Sequence, residues 1–191
     1  FTAEKFIPER MAFSIVADID EKRMEKDLLK LVSSLGGPAQ ANGGRKTAEV
    51  PQNIFDKTIN KRNHQANCII GGLAPSLYQD RERLATVLLC NILGGPANNS
   101  ILNSVLREKN GWVYGVECSY TQYADTGIVT ISLGCDKANL DKCVTAVWKE
   151  LEKLKTVTLS ERKLKSAKKQ LLGQLAVSGD NGETQCLSMG K

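Results

Sequence analysis

Hydrophobic residues recur at helical spacing in several stretches of this chain and alternate with polar ones in others, and the two periods predict most of its elements. After Asp20, which suits a helix N-cap, Met24, Leu28, Leu31, Val32 and Leu35 form one stripe, and Gly36-Gly37-Pro38 stops it. From Gln79 to Leu93 the stripe is Leu84, Ala85, Leu88, Leu89 and Ile92, ended by Gly94-Gly95-Pro96. Asn98 or Asn99 caps a shorter helix in which Ile101, Leu102, Val105 and Leu106 share a face and Asn110-Gly111 marks the end. At 100° per residue Arg107 points away from that face. Leu140, Val144, Val147, Leu151 and Leu154 predict a helix over 138–154. The capping box Thr158-Leu159-Ser160-Glu161 opens another, with Leu164, Ala167, Leu171 and Leu175 inward.

Strands are predicted at Met11–Ala17, at Phe55–Lys61 and Gln65–Leu73 around the corner Arg62-Asn63, and at Trp112–Tyr120 and Gly127–Cys135. The last two are joined by hairpin chemistry at Ala124–Gly127. Val129, Ile131 and Leu133 alternate with Thr130 and Ser132, so one face of that strand is expected to be buried. Pro38–Gln52, rich in Gly, Ala and Asn, reads as an exposed connection too short to be a domain boundary. The order β-α-β-β-α-α-β-β-α-α is that of an α+β domain. It predicts a two-layer, mixed but mostly antiparallel sheet with helices on one face, and one domain over 1–191.

Composition narrows the classes. A chain of 191 residues, 41% hydrophobic and 25% charged, supports one ordinary core. Its apolar runs, such as Ala85–Cys90, fall far short of the roughly 20 residues of a membrane span, so no membrane partner is expected. Phe1–Arg10, with two acids and two bases, has the pattern of neither a secretory nor a transit signal. The net charge of +5 rests partly on Arg162, Lys163, Lys165, Lys168 and Lys169, which read as a solvated helix face. No aromatic or Gly pattern of a nucleic-acid binder accompanies them.

Six cysteines, at 68, 90, 118, 135, 143 and 186, include no C-x-x-C and lack the density of a disulfide framework. Cys68, Cys90 and Cys143 sit in apolar runs or stripes as small core residues, which fits a reducing compartment such as the cytoplasm. The one histidine, His64, has no His, Cys or carboxylate at ligand spacing. No H-E-x-x-H or H-x-x-E-H occurs, so no metal and no catalytic residue is assigned to this chain. Gly94-Gly95-Pro96 lacks the G-K-[ST] of a phosphate cradle and reads as a structural terminator.

The run N-I-L-G-G-P from Asn91, then N-S-I-L-N-S-V-L-R-E-K-N-G-W-V-Y to Tyr114, the later D-T-G and the helix A-K-K-Q-L-L-G-Q-L stand in one order along the chain. Together they resemble the C-terminal domain of the pitrilysin, insulinase and mitochondrial-processing-peptidase superfamily, in its short-chain bacterial form. The resemblance runs from P-x-R-M-x-F at Pro8–Phe13 to the final L-S-M-G-K. It implies a processing-peptidase-like metallohydrolase fold and a second, non-zinc domain. The zinc and its general-base glutamate would then belong to an upstream domain, and Phe1–Arg10 reads as the entry to the second one.

By that resemblance, the helix-end Arg107 and Tyr114 seven positions later contact an extended peptide substrate and help hold the developing oxyanion. A guanidinium and a phenol both donate to a carbonyl oxygen, and neither is a metal-activated nucleophile. From the residues alone, Arg107 reads as a solvated cation near a helix C-terminus and Tyr114 as a half-buried strand aromatic.

The chain departs from the usual pattern at Ala97, Asn98, Ile101 and Trp112, where relatives commonly carry Gly, Met, Arg and Leu. An Ile at 101 removes one polar contact. The implied partners are a peptide, the zinc-bearing domain and, at full length, a second subunit. A non-catalytic partner subunit of the same superfamily, or a stand-alone peptide-binding module, are the alternative readings.

Overall fold

The computed structural model describes residues 11–33 and 55–190. The stop at Gly36-Gly37-Pro38, the connection Pro38–Gln52 and the segment Phe1–Arg10 lie outside them. The chain divides into two compact units, Thr47–Leu171 and the pair of segments Phe1–Lys46 and Leu172–Lys191.

The larger unit is built on three strands, β1 (Gln65–Ala74), β2 (Val113–Gln122) and β3 (Gly127–Asp136), in the order β1-β3-β2 and antiparallel throughout. Helix α1 (Glu21–Ser33) precedes them in the other unit; α2 (Asp80–Gly94) and a π-helix (Asn103–Glu108) lie between β1 and β2. A 3-10 turn (Lys137–Asn139) leads from β3 into α3 (Leu140–Thr156), and α4 (Glu161–Gly179) and α5 (Gly182–Met189) follow. The fold is α+β, with an antiparallel sheet carrying helices on one face, as the patterning predicts.

Register explains which face is covered. Cys68 lies opposite Leu133, Ile70 opposite Ile131, Val116 opposite Leu133 and Cys118 opposite Ile131, so the inward rows of all three strands coincide. Against them stand α2 and the π-helix, both packed on β2, and α3, packed on the π-helix. Leu102, Leu106, Val147, Cys135 and Cys143 are fully buried. Each such Leu contributes about 1.5–3 kcal/mol by leaving water.

Some expectations are corrected. Met11–Ala17 and Phe55–Lys61 form no strand: the ladder of described residues has no place for either, and extended backbone without a partner is not a strand. Lys137 Nζ donates to the Lys61 carbonyl at 2.9 Å. In α2 the buried row is Cys90, Leu93 and Gly94, while Leu84 is 61% and Leu89 44% exposed. Both rows fit a 3.6-residue period; the sheet selects the row ending in Gly94 because that residue permits the closest approach.

At the start of α4 the N-cap is Ser160, whose Oγ accepts from Lys163 N–H at 3.4 Å, so the helix begins after the predicted cap Thr158. Leu164, Ala167 and Leu171 are half-buried, but Leu175 is exposed. The cluster Arg162, Lys163, Lys165, Lys168 and Lys169 is solvated.

In the smaller unit, Asp20 caps α1 through its Oδ1 and the Arg23 N–H at 2.9 Å. Phe13 and Ile15 with Met24, Leu28 and Val32 of α1 line an apolar groove of about 410 Å³. Helix α5, absent from the predicted elements, is capped by Asn181, which accepts from Thr184 N–H at 3.0 Å, and its Cys186 thiol donates to the Ser14 carbonyl at 2.9 Å. Among the described residues no helix is long and apolar enough to cross a membrane.

Candidate functional site

The Gly-rich loop sets the position of the π-helix. Gly94 lies on the β2 backbone at Cys118, and Asn103, buried inside the π-helix, reaches back to the loop. Its Nδ2 donates to the Gly95 carbonyl at 3.3 Å and to Ser100 Oγ at 2.8 Å. The Ser100 carbonyl begins the helix by accepting from Ser104 N–H. Asn99, one of the two predicted caps, instead donates to Gln170 Oε1 at 2.9 Å, and Asn98 makes no described capping bond. Ile101 packs against the core.

The π-helix is wide because Lys109 N–H reaches Ser104 five residues back, and it closes through Gly111 at φ +61°. Gly111 N–H donates to the Arg107 carbonyl, Trp112 N–H to the Leu106 carbonyl, and Asn110 Nδ2 to the Val105 carbonyl. These bonds satisfy the free carbonyls of the helix end and fold the start of β2 back against it. Arg107 is exposed there, away from Leu102 and Leu106 as predicted, and no described residue pairs with its guanidinium.

Tyr114 occupies an irregularity in the sheet. Val113 pairs with Cys135 and Gly115 with Gly134, so Tyr114 is the extra residue of a β-bulge. The insertion turns both Tyr114 and Gly115 outward, between the buried Val113 and Val116. The Tyr114 ring is 59% exposed, and its hydroxyl donates to Asp136 Oδ1 at 2.6 Å. That bond, with minor contributions from burial and from the charges of Asp136 and Cys135, holds the phenol above its ordinary ionisation range.

Asp136 is the N-cap of the 3-10 turn by position, with extended backbone, yet its side chain makes no cap bond. Arg107 and Tyr114 are thus both exposed in the segment that runs from the π-helix into β2. They are not bonded to each other; the described hydroxyl partner of Tyr114 is Asp136. Beside Tyr114, the facing pair Gly115 and Gly134 carries no side chain, and a methyl group on Gly115 would meet nothing within 4 Å. The outward row of β1 adds Ile69 and Leu73, 73% and 56% exposed.

Five of the six cysteines belong to the other face. Cys90, Cys118, Cys135 and Cys143 are buried between sheet and helices and Cys68 is half-buried; all six are free thiols. Burial pushes the Cys143 thiol up to about 11, and a hydrogen bond to Cys90 raises the Cys118 thiol well above the usual range. Among the described residues no group of three or more His, Cys, Asp or Glu has the arrangement to hold a metal ion.

Sequence reasoning missed Asn103, the bulge at Tyr114 and Asp136. Asp136 signals itself only as a residue between a strand and a helix, which reads as a cap. Its reach to Tyr114 depends on a register shift that no local pattern reports.

Comparison with known proteins gives the lineage. Residues 1–171 match the family described as the peptidase M16 inactive domain. A zinc protease of uncharacterised function from Bacillus subtilis, YmxG, is 26% identical over 188 residues, covering 97% of this chain and 44% of the relative. One from Rickettsia bellii is 25% identical, covering 100% of this chain and 45% of that protein. The chain therefore spans a little under half the length of these relatives.

Among solved structures, the peptidase M16 inactive domain from Pseudomonas fluorescens superposes with a TM-score of 0.69 at 22% identity, over 91% of this chain and 40% of that one. A Helicobacter pylori protease does so at 0.68 and 17%, over 88% and 41%. The sequence match extends over the sheet, the π-helix and its Gly-rich loop, and the structures share their fold; the chain belongs to the peptidase M16 family, as its C-terminal, inactive-type domain.

Proposed function

We propose that this domain is the substrate-binding portion of a zinc metalloendopeptidase, holding an extended peptide while a zinc site on another domain cleaves it. The observation that carries this reading is the placement of Arg107 and Tyr114. Two exposed donors flank one turn, the first at the end of a π-helix and the second aimed outward by a bulge, with bare backbone at Gly115 beside it. An extended peptide has carbonyls at regular intervals along its length. A guanidinium with five donors suits the carbonyl whose charge grows during hydrolysis, and a phenol suits a second point of contact.

The nucleophile comes from outside this chain, and zinc belongs to the upstream domain. Peptide enters as a strand against the sheet, and the complete protein works as a dimer or a closed pair of halves. The zinc-protease names of the relatives and the family's inactive-domain description support this division of labour.

The test is cleavage of an unstructured peptide by the complete protein and by this chain alone, each with and without a zinc chelator. Cleavage that only the complete protein performs, and that the chelator stops, is the expected result. No cleavage by either moves the protein to the second reading, a non-catalytic partner subunit.

A further inference from the structure

We propose that Asp136 is a positioning residue for Tyr114, holding the phenol in its peptide-facing orientation and keeping its single proton until a peptide takes it. The inference rests on the reading of Tyr114 as a substrate contact. Three observations carry it.

Asp136 occupies an N-cap position with cap backbone geometry, at the head of the turn into α3, but its carboxylate caps nothing and receives the Tyr114 hydroxyl at 2.6 Å. Tyr114 is the inserted residue of a bulge, so its backbone lacks regular ladder pairing and its ring is 59% exposed. A ring with so little packing needs a polar tether to keep one orientation. Finally, Asp136 and Gly134 lie on the same outward row of β3; the Gln65 amide lies over Gly134, but Gly115, which faces it beside Tyr114, has open space around it.

A phenol has one proton. While it lies on the carboxylate, the Tyr114 oxygen offers only lone pairs, which accept from a peptide N–H. Donation to a peptide carbonyl requires the O–H to rotate off Asp136. An O–H bond to an ionised acceptor is stronger than one to a neutral carbonyl, so the exchange becomes favourable only when negative charge develops on the carbonyl oxygen. Asp136 thereby keeps Tyr114 off the ground-state carbonyl, and what it contributes to the transition state is the fixed orientation of the ring.

Two measurements test this. The first needs no catalysis: the tyrosine ring carbons are labelled with 13C and titrated by NMR in this chain, with Tyr114→Phe identifying the resonance. The ionised neighbours of the phenol are Asp136 and, above its own pKa, Cys135. In Asp136→Asn the Tyr114 midpoint is expected to move down toward that of an unperturbed tyrosine. A midpoint that stays put overturns the proposal.

The second is a double-mutant cycle on kcat/KM in the complete protein. Asp136→Ala is expected to lower kcat/KM about 10-fold, mainly in kcat, and to have no further effect once Tyr114 is Phe, while Asp136→Asn recovers some of the loss. Equal losses from Asp136→Ala with and without the Tyr114 hydroxyl overturn the positioning role. If the titration shifts but Tyr114→Phe leaves cleavage unchanged, the tether stands and the substrate-contact reading of Tyr114 fails.

Discussion

Gly94, the last residue of α2, lies so close to β2 that a methyl group added to it would come within 2.8 Å of the Cys118 Cβ and 2.7 Å of the Cys118 amide nitrogen. Helix and strand meet there backbone to backbone, and the contact holds α2 in the rotation that buries Cys90 and Leu93. Gly94→Ala is therefore expected to destabilise the domain by about 1–3 kcal/mol, the range of core overpacking. Gly115→Ala, with open space around it, is expected to stay within about 0.5 kcal/mol of the parent. Urea denaturation of both variants checks the contrast; equal midpoints would refute the close-packing argument.

Asn103 ties the Gly-rich loop to the π-helix. In Asn103→Leu the bonds to the Gly95 carbonyl and Ser100 Oγ are lost and both acceptors stay buried, an expected cost of about 1–3 kcal/mol. The urea midpoint falls while the slope of the transition is unchanged, since the surface exposed on unfolding is the same. The same loop carries the chain into the helix that ends at Arg107, so peptide cleavage by the complete protein is expected to fall more than the fraction folded.

The Cys143 thiol gives the domain a pH dependence with a defined sign. Burial, with the neighbouring Cys135, raises it from an ordinary 9.0 to about 11. Above about pH 9 the unfolded chain sheds this proton and the folded one keeps it, so the unfolded state binds fewer protons. Stability is fully present below that pH and is lost as pH rises through about 11. Thermal melts from about pH 8 to 11 are expected to show Tm falling, and falling less steeply in Cys143→Ala. An identical slope in the variant would locate the alkaline loss elsewhere.

If Arg107 and Tyr114 hold the peptide, Arg107→Ala and Tyr114→Phe each lower kcat/KM of the complete protein by the order of 10²-fold, as for loss of an oxyanion donor, with zinc content unchanged. Arg107→Lys is expected to recover little, because an ammonium lacks the planar fork. A fall in bound zinc in either variant would sink the assigned role.

Much of the architecture was readable along the chain because it rests on local rules. The alternation of Val129, Ile131 and Leu133 sets the buried face of β3, Asp20 caps α1, and Gly111 ends the helix that carries Arg107 outward. Each of these depends on residues within one turn or one pleat of each other. Arg107 and Tyr114 themselves were found by resemblance, and residue type alone left both open to a plain structural reading.

What lay beyond local pattern was decided by pairing across long sequence distances. Leu84 and Leu89 read as core residues no less than Cys90 and Leu93, and the approach of Gly94 to Cys118 leaves the first pair exposed and buries the second. Met11–Ala17 and Phe55–Lys61 read as strands along the chain, but a strand exists only where a neighbour supplies its hydrogen bonds. The partnership of Tyr114 with Asp136 spans 22 residues and depends on a one-residue register shift between β2 and β3. Sequence by itself determined the periods, the cap at Asp20 and the outward direction of Arg107; the tertiary structure decided which faces met and where the Tyr114 proton rests, because both are set by contacts that no local period encodes.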